Sequence, residues 1–299
     1  LAGKEVLLKS VVMALPAYVM SCCKLPKKLC RGMAREMAQF WWGGKGDERK
    51  LHWLGWGKLS DVKQNGGLGF RSLENFNLAL LAKQLWRVLT RPNLLVSQVF
   101  KAKYFRGTSI WKLKVKSTDS WCWKSLLSAR DLLEEGMMIR VGDGKTIDIW
   151  KDRWVPGLTG GKVRSKQDAN LGLSLVSELI ENGRWKEELL GRVFDKEERE
   201  EILQIPLSLQ DSKDRLFWAY SATGEYTVKS GYKAVQGKVV GSRRRSDPEG
   251  SGSRNEANAK GWKVLWQLSM KHKLKHFIWK CLKGILPVNE SIKARGQQG

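Results

Sequence analysis

His272 and His276 stand four positions apart, the spacing that lets one helix face hold a divalent metal ion, and Cys281 is close by. Lys271, Lys273 and Lys275 interleave the pair, and their charge opposes a cation. No neighbouring carboxylate or second cysteine completes a ligand shell, so no metal residue is assigned. Gly142-Asp-Gly-Lys-Thr146 ends like a phosphate-binding loop. The full pattern needs a glycine five positions before Gly144, where Ile139 stands, and a helix after the threonine, where Ile147-Asp-Ile-Trp150 alternates like a strand. The run is read as a turn. Glu134-Glu135, Glu187-Glu188 and the stretch Glu197 to Glu201 read as helical and solvated, and the chain has no Asp-Asp pair. Two-metal phosphoryl transfer relies on closely placed aspartates to hold both ions, so no catalytic residue is assigned.

The positive chemical signal is charge interleaved with aromatic rings. The 299 residues carry 54 Lys+Arg against 30 Asp+Glu, a net charge of +24. Such a surplus repels itself in a compact chain unless a polyanion or an anionic surface neutralises part of it. Between 98 and 124, Lys101, Lys103, Arg106, Lys112, Lys114, Lys116 and Lys124 alternate with Tyr104, Phe105, Trp111, Trp121 and Trp123. Basic groups neutralise phosphates, and aromatic faces stack on unpaired bases. The candidate phosphate contacts are Lys24, Lys27, Lys28, Arg31, Lys101, Lys103, Arg106, Lys112, Lys114, Lys271, Lys273 and Lys275. Most of the 15 tryptophans are expected in the core, with two or three facing ligand.

These residues need elements to position them. Val6, Leu7, Val11 and Val12 predict a helix with a break near Pro16, and the basic face from Lys24 to Arg35 reads as another. Glycine clusters around Phe40-Trp-Trp-Gly-Gly44 and Gly66-Gly-Leu-Gly-Phe70 mark turns. Leu78, Leu81, Leu85 and Val88 predict a helix that stops before Pro92. Alternation on both sides of Asp143-Gly144 predicts a hairpin, and Phe217 to Val228 a second one, followed by a helix from Lys229 to about Val235. Asp195 with Glu198 predicts a capped helix start. The composition of 236–261 predicts a flexible linker. A final helix is expected from about Trp262 to Gly284, with Leu274, Phe277, Ile278, Cys281 and Leu282 inward. The five cysteines contain no C-x-x-C pair and read as reduced, mostly buried thiols of an intracellular protein, nuclear or cytoplasmic. The apolar run Val11–Cys23 is too short to span a bilayer, so no membrane segment and no secretion are expected. Leu1 in place of a methionine suggests a fragment or an incomplete gene model.

The order of motifs resembles one family. Leu1-Ala-Gly-Lys-Glu-Val-Leu-Leu-Lys-Ser-Val-Val12, Ala14 to Ser21, Phe40 to Gly44, Trp53, Trp56 and Gly66 to Arg71 are similar to the stretch following the polymerase palm of plant LINE-type, non-LTR retrotransposon reverse transcriptases. Asn75 to Arg87, Ile139-Arg-Val-Gly-Asp-Gly144 and Ile149-Trp-Lys-Asp-Arg-Trp154 match too. Gly224-Glu-Tyr-Thr-Val-Lys-Ser-Gly-Tyr232 and Trp266 through Trp279 to Leu286-Pro287 look like that family's zinc-binding domain. The resemblance implies a mainly α fold with small β-hairpins (α+β), a thumb-like helical bundle followed by a smaller domain and a flexible linker. The expected domains are a thumb and connection region over 1–125, a hairpin-containing connecting region over 126–212, and a truncated zinc-binding-like domain over 213–299. It implies an RNA-directed DNA polymerase as the parent enzyme and a non-catalytic role here, holding template RNA or an RNA–DNA hybrid. A palm encoded upstream would be the protein partner. The alternative is a degenerate or domesticated element acting as an interaction module. The family's magnesium and zinc ligands lie outside these residues, so no cofactor is expected in this segment.

Overall fold

The computed structural model describes residues 1–43, 51–105, 109–166, 171–207, 212–244 and 252–286. It is mainly helical, with two small two-stranded antiparallel sheets. In chain order the elements are α1 (Ala2–Leu7), a π turn (Leu8–Val12), α2 (Ala17–Cys22), α3 (Lys27–Trp42), α4 (Trp56–Ser60), α5 (Leu73–Thr90), α6 (Leu95–Tyr104), α7 (Trp121–Leu127), α8 (Arg130–Gly136), β1 (Met137–Arg140), β2 (Ile180–Glu181), β3 (Arg184–Trp185), α9 (Glu187–Val193), α10 (Lys196–Leu203), β4 (Arg215–Trp218), α11 (Val228–Arg244), α12 (Gly252–Gln267) and α13 (His272–Leu282). Among the described residues no helix is long and apolar enough to cross a membrane. The chain divides into two compact units, Leu1–Leu81 with Val235–Gly299, and Ala82–Ala234.

In the first unit the chain ends α4 and doubles back through a tight loop. The Leu68 amide donates to the Leu59 carbonyl, and the Gly69 amide to the Asp61 carbonyl. Gly67 lies so close to this loop that a Cβ would come within 2.0 Å of the Asp61 carbonyl oxygen. The close return drops Leu68 and Phe70 into a core with Trp41, Leu59 and Trp279. Phe70 meets Trp41 edge to face at 5.2 Å and stacks on Trp56 at 4.9 Å. The Trp279 indole N–H donates to the Gly66 carbonyl at 2.9 Å, tying α13 to the loop.

The second unit holds a core of Val141, Ile147, Ile149, Trp154, Val155, Leu158, Val176, Leu179, Leu190 and Ile202. Here β1 pairs antiparallel with β4, Met137 opposite Trp218 and Arg140 opposite Arg215. The expected hairpin about Asp143-Gly144 is therefore not formed. The strand partner of β1 lies over 70 residues downstream, and Asp148 makes an isolated bridge to Leu175 instead. The Asp143-Gly144 turn has another purpose, since its amides hold a carboxylate. Oδ1 of Asp214 accepts from the amides of Gly142 (2.8 Å) and Gly144 (3.0 Å), and Oδ2 from the amide and hydroxyl of Thr146 (3.0 and 2.7 Å). The second expected hairpin also lacks its return strand. After β4 the chain turns so that the Trp218 amide meets the Gly224 carbonyl, and α11 then begins at Val228. The local hairpin is β2–β3, closed by Asn182 and Gly183, both at positive φ (49° and 72°). That is the conformation a two-residue type I′ turn requires.

Other expectations hold. The helix containing Leu78 to Val88 runs from Leu73 to Thr90, ahead of Pro92. The Asp195 carboxylate caps α10 by accepting from the Glu198 amide. Some do not. Glu198 is fully buried, where its carboxylate accepts from the Arg164 and Ser165 amides and the Ser165 hydroxyl. Helices cover 228–244 and 252–267 where a flexible linker is predicted, because polar composition lowers helix stability without forbidding the conformation; 245–251 lie outside the described residues. Of the cysteines, Cys30 is buried and Cys281 exposed, with Cys22, Cys23 and Cys122 between.

The face of the last helix is inverted relative to expectation, and the first helix buries a charged residue. In α1 and the π turn, Val6, Leu7 and Val11 are exposed, while Glu5 and Leu8 are buried. In α13, Leu274, Phe277, Cys281 and Leu282 are exposed, while His276 and Trp279 are buried. The expected single helix from Trp262 is broken between Gln267 and His272. Glu5 and His276, one from each helix, satisfy each other in the interior.

Candidate functional site

The basic candidates divide between the two units. In the first, Lys24, Lys27, Lys28 and Arg31 are exposed along the start of α3, and Lys271 and Lys273 are exposed at the start of α13. Lys275 is not free for phosphate, since its ammonium donates to the Trp266 carbonyl at 2.9 Å. Arg31 lines a cavity of about 730 Å³ with Trp56, Asp61, Asn65, Glu74 and Asn75. Two carboxylates against one guanidinium make that cavity poor for phosphate, so Arg31 is a weaker phosphate candidate than its exposure alone implies.

In the second unit Lys101 and Lys103 project from α6, and Lys112 and Lys114 from the 3₁₀ turn Ile110–Lys112 and the residues after it. Arg130 pins that turn through its guanidinium, which donates to the carbonyls of Ile110 and Leu113. Arg106 lies outside the described residues. The rings interleaved with these lysines mostly pack on one another. Trp123 is 1% exposed, with Tyr104 stacked on it at 4.7 Å and Phe105 parallel at 5.8 Å. Ser120 caps α7 by accepting from the Trp123 amide, which fixes that ring inward and leaves Trp121 outward. Trp121 is 61% exposed and is the tryptophan among the described residues that faces solvent. The aromatic count that favours stacking in the sequence thus reduces to one indole beside a lysine-rich surface.

A second grouping joins residues that are remote in sequence. Oε2 of Glu5 lies 2.8 Å from Nε2 of His276 and 3.6 Å from Nδ1 of His272. Oε1 of the same carboxylate meets the ammonium groups of Lys9 at 2.6 Å and Lys63 at 3.3 Å. Lys9 also donates to the Leu68 carbonyl at 2.6 Å. Burial works to raise the Glu5 carboxyl, but hydrogen bonds from His276 and Lys9 and the charges of both lysines outweigh it and hold it below the usual carboxylate range. Burial lowers His272 despite the attraction of Glu5, which favours its neutral imidazole. Nδ1 of His276 is buried and without a hydrogen-bond partner. Trp41 and Trp266 flank this imidazole at 5.7 and 5.9 Å between ring centroids. Among the described residues, Glu5, His272 and His276 form the grouping in which three such donor atoms all lie within 4.8 Å of one another. Spacing on α13 exposes the histidines in the sequence, but nothing near them signals Glu5.

The zinc-binding residues that the family resemblance implies, a C-x-x-C with His and Cys, are not matched by any C-x-x-C in this chain, and no step is built on them. No family model matches the chain, and no solved structure matches it. An Arabidopsis thaliana protein carrying a provisional ribonuclease H name is 28% identical over 288 residues, which are 93% of this chain and 44% of that protein. The chain therefore spans less than half of that relative's length. An uncharacterized mitochondrial protein of Arabidopsis thaliana is 42% identical over 144 residues, 48% of this chain and 94% of that protein. At that identity over nearly the whole of the shorter protein, the chain belongs to the same family as the uncharacterized mitochondrial protein of Arabidopsis.

Proposed function

We propose that the chain is a non-catalytic part of a retrotransposon-type RNA-directed DNA polymerase, an intracellular segment that grips template RNA or an RNA–DNA hybrid. The observation that carries this reading is the surface around α6 and α7. Lys101, Lys103, Lys112 and Lys114 are exposed there within the same stretch as the outward Trp121, on a chain of net charge +24. Lysines neutralise backbone phosphates without reading sequence, and an exposed indole offers a face to an unpaired base. Lys24, Lys27, Lys28, Lys271 and Lys273 supply further phosphate contacts on the other unit. The ribonuclease H name of the longer relative fits a hybrid as ligand, although this chain covers under half of that protein. An upstream polymerase palm is the protein partner that this reading requires.

The test is a binding titration of the full chain against single-stranded RNA, RNA–DNA hybrid and duplex DNA across salt concentrations. Neutralising roughly six to ten phosphates predicts a loss of about 10³–10⁵ in affinity between 50 and 200 mM salt. Binding that hardly changes with salt would refute the reading.

A further inference from the structure

We propose that Glu5, His272 and His276 form a binding site for a divalent transition-metal ion of the zinc type, closed between α1 and α13. Two imidazole nitrogens and one carboxylate oxygen are a donor set that zinc accepts, leaving a fourth position for water. Ligands at bond lengths of about 2.0–2.1 Å in a tetrahedron stand about 3.3 Å apart. The observed separations from Glu5 Oε2, 2.8 Å to His276 and 3.6 Å to His272, lie on either side of that figure, and all three donor atoms lie within 4.8 Å of one another, so side-chain rotations can bring them onto one ion.

The rest of the geometry suits loading from solvent. The His272 side chain is 47% exposed and gives the ion a way in, while His276 and Glu5 are held inside by Trp41, Trp266 and the loop that carries Leu68. The two lysines oppose the ion but share the other oxygen, Oε1, where they remain as partners of the ligating carboxylate. Lys9 has the Leu68 carbonyl as a further acceptor. Their charge lowers the affinity below that of a cysteine-rich structural site. These ligands are not the C-x-x-C, His and Cys set of the resembled zinc-binding domain. The carboxylate stands 267 and 271 positions from the two imidazoles, which is why the histidines alone give no metal site in the sequence.

The experiment uses the full chain, stripped with a chelator and titrated with zinc while thermal unfolding is followed, then with cobalt(II) while its visible absorption and tryptophan emission are recorded. The site predicts a rise in melting temperature with zinc, tetrahedral cobalt bands, and partial quenching from Trp41 and Trp266 as cobalt occupies a position next to both. His272→Ala removes an exposed ligand without opening the core and is expected to weaken binding by on the order of tenfold or more. Glu5→Gln is expected to do the same, and Cys281→Ser and His52→Ala to leave the affinity unchanged. Zinc that does not bind, or that binds equally well to the His272→Ala chain, overturns the proposal. Loss of binding on Cys281→Ser with His272→Ala unaffected places the metal on cysteine and overturns it as well.

Discussion

Replacing Asp214 by alanine removes the acceptor of four donors at once and leaves the 142–146 loop without its anchor to β4. Oδ1 holds the two part-buried amides of Gly142 and Gly144, and Oδ2 the more exposed amide and hydroxyl of Thr146. Hydrogen bonds to a charged group contribute about 1.5–3 kcal/mol each, and leaving a buried donor unsatisfied costs a similar amount. The low end applies to the two part-buried bonds because the carboxylate is only half enclosed, and water substitutes largely for the pair at Thr146. The sum is about 3 kcal/mol. Water cannot readily refill the Gly142 side, since a Cβ there would already lie 2.1 Å from the Ser212 carbonyl oxygen. Asp214→Asn keeps an oxygen for Gly142 and Gly144 but turns an NH₂ toward the Thr146 amide, so its loss is smaller, about 1–2 kcal/mol. The assay is urea unfolding followed by tryptophan fluorescence, because Trp154 and Trp218 are buried in the same unit and report its opening. Burial opposes ionisation of Asp214, but its four donors prevail and hold the carboxyl below the ordinary aspartate value. A folded value below the unfolded one of about 3.9 means the contribution is complete above that pH and is lost as pH falls through the folded value. The gap between the parent and Asp214→Asn should therefore narrow in acid. An Asp214→Ala chain within about 0.5 kcal/mol of the parent at neutral pH, or an asparagine variant as damaged as the alanine one, would refute the reasoning.

Further outcomes follow from the same geometry. Trp121→Ala should weaken RNA binding by about 1–3 kcal/mol with little change in melting temperature, because the ring is exposed; equilibrium binding and calorimetry on the same preparation check both halves. Gly67→Ala should destabilise the first unit by about 2–3 kcal/mol, since its methyl would sit 2.0 Å from the Asp61 carbonyl oxygen, as read by the urea midpoint. Trp279→Phe keeps the buried ring but removes the N–H that reaches the Gly66 carbonyl, a loss of about 1 kcal/mol or somewhat more if packing also suffers. Asn182-Gly183→Ala-Ala should disrupt the β2–β3 turn by roughly 1–2 kcal/mol, because both positions hold positive φ, which thermal unfolding would register.

Several elements were legible because their determinants are local. The stripe from Leu78 to Val88 with Pro92 beyond it, the Asp195 cap and the break at Pro16 each depend on residues within a few positions. The β2–β3 turn is equally local, since Asn182-Gly183 is the strongest kind of two-residue hairpin signal. Asp143-Gly144 carries the same kind of signal, yet the hairpin fails there because Asp214 takes the turn's amides and β4 takes its strand. Of the candidate site, the exposed lysines were readable from charge, whereas the fates of Lys275 and Trp123 were not. Both are decided by neighbours that meet them only in the folded chain.

That the chain is mainly helical, strongly basic and built around many tryptophans follows from propensity, charge and composition, which are properties of residues and their near neighbours. Tertiary structure alone decided which face of each terminal helix is inside. Leu274 and Phe277 are expected inward, but both are exposed, as are Val6, Leu7 and Val11, while Glu5 and His276 are buried. A buried carboxylate is tolerable only when partners surround it, and His276, His272, Lys9 and Lys63 reach Glu5 from three separate stretches of chain.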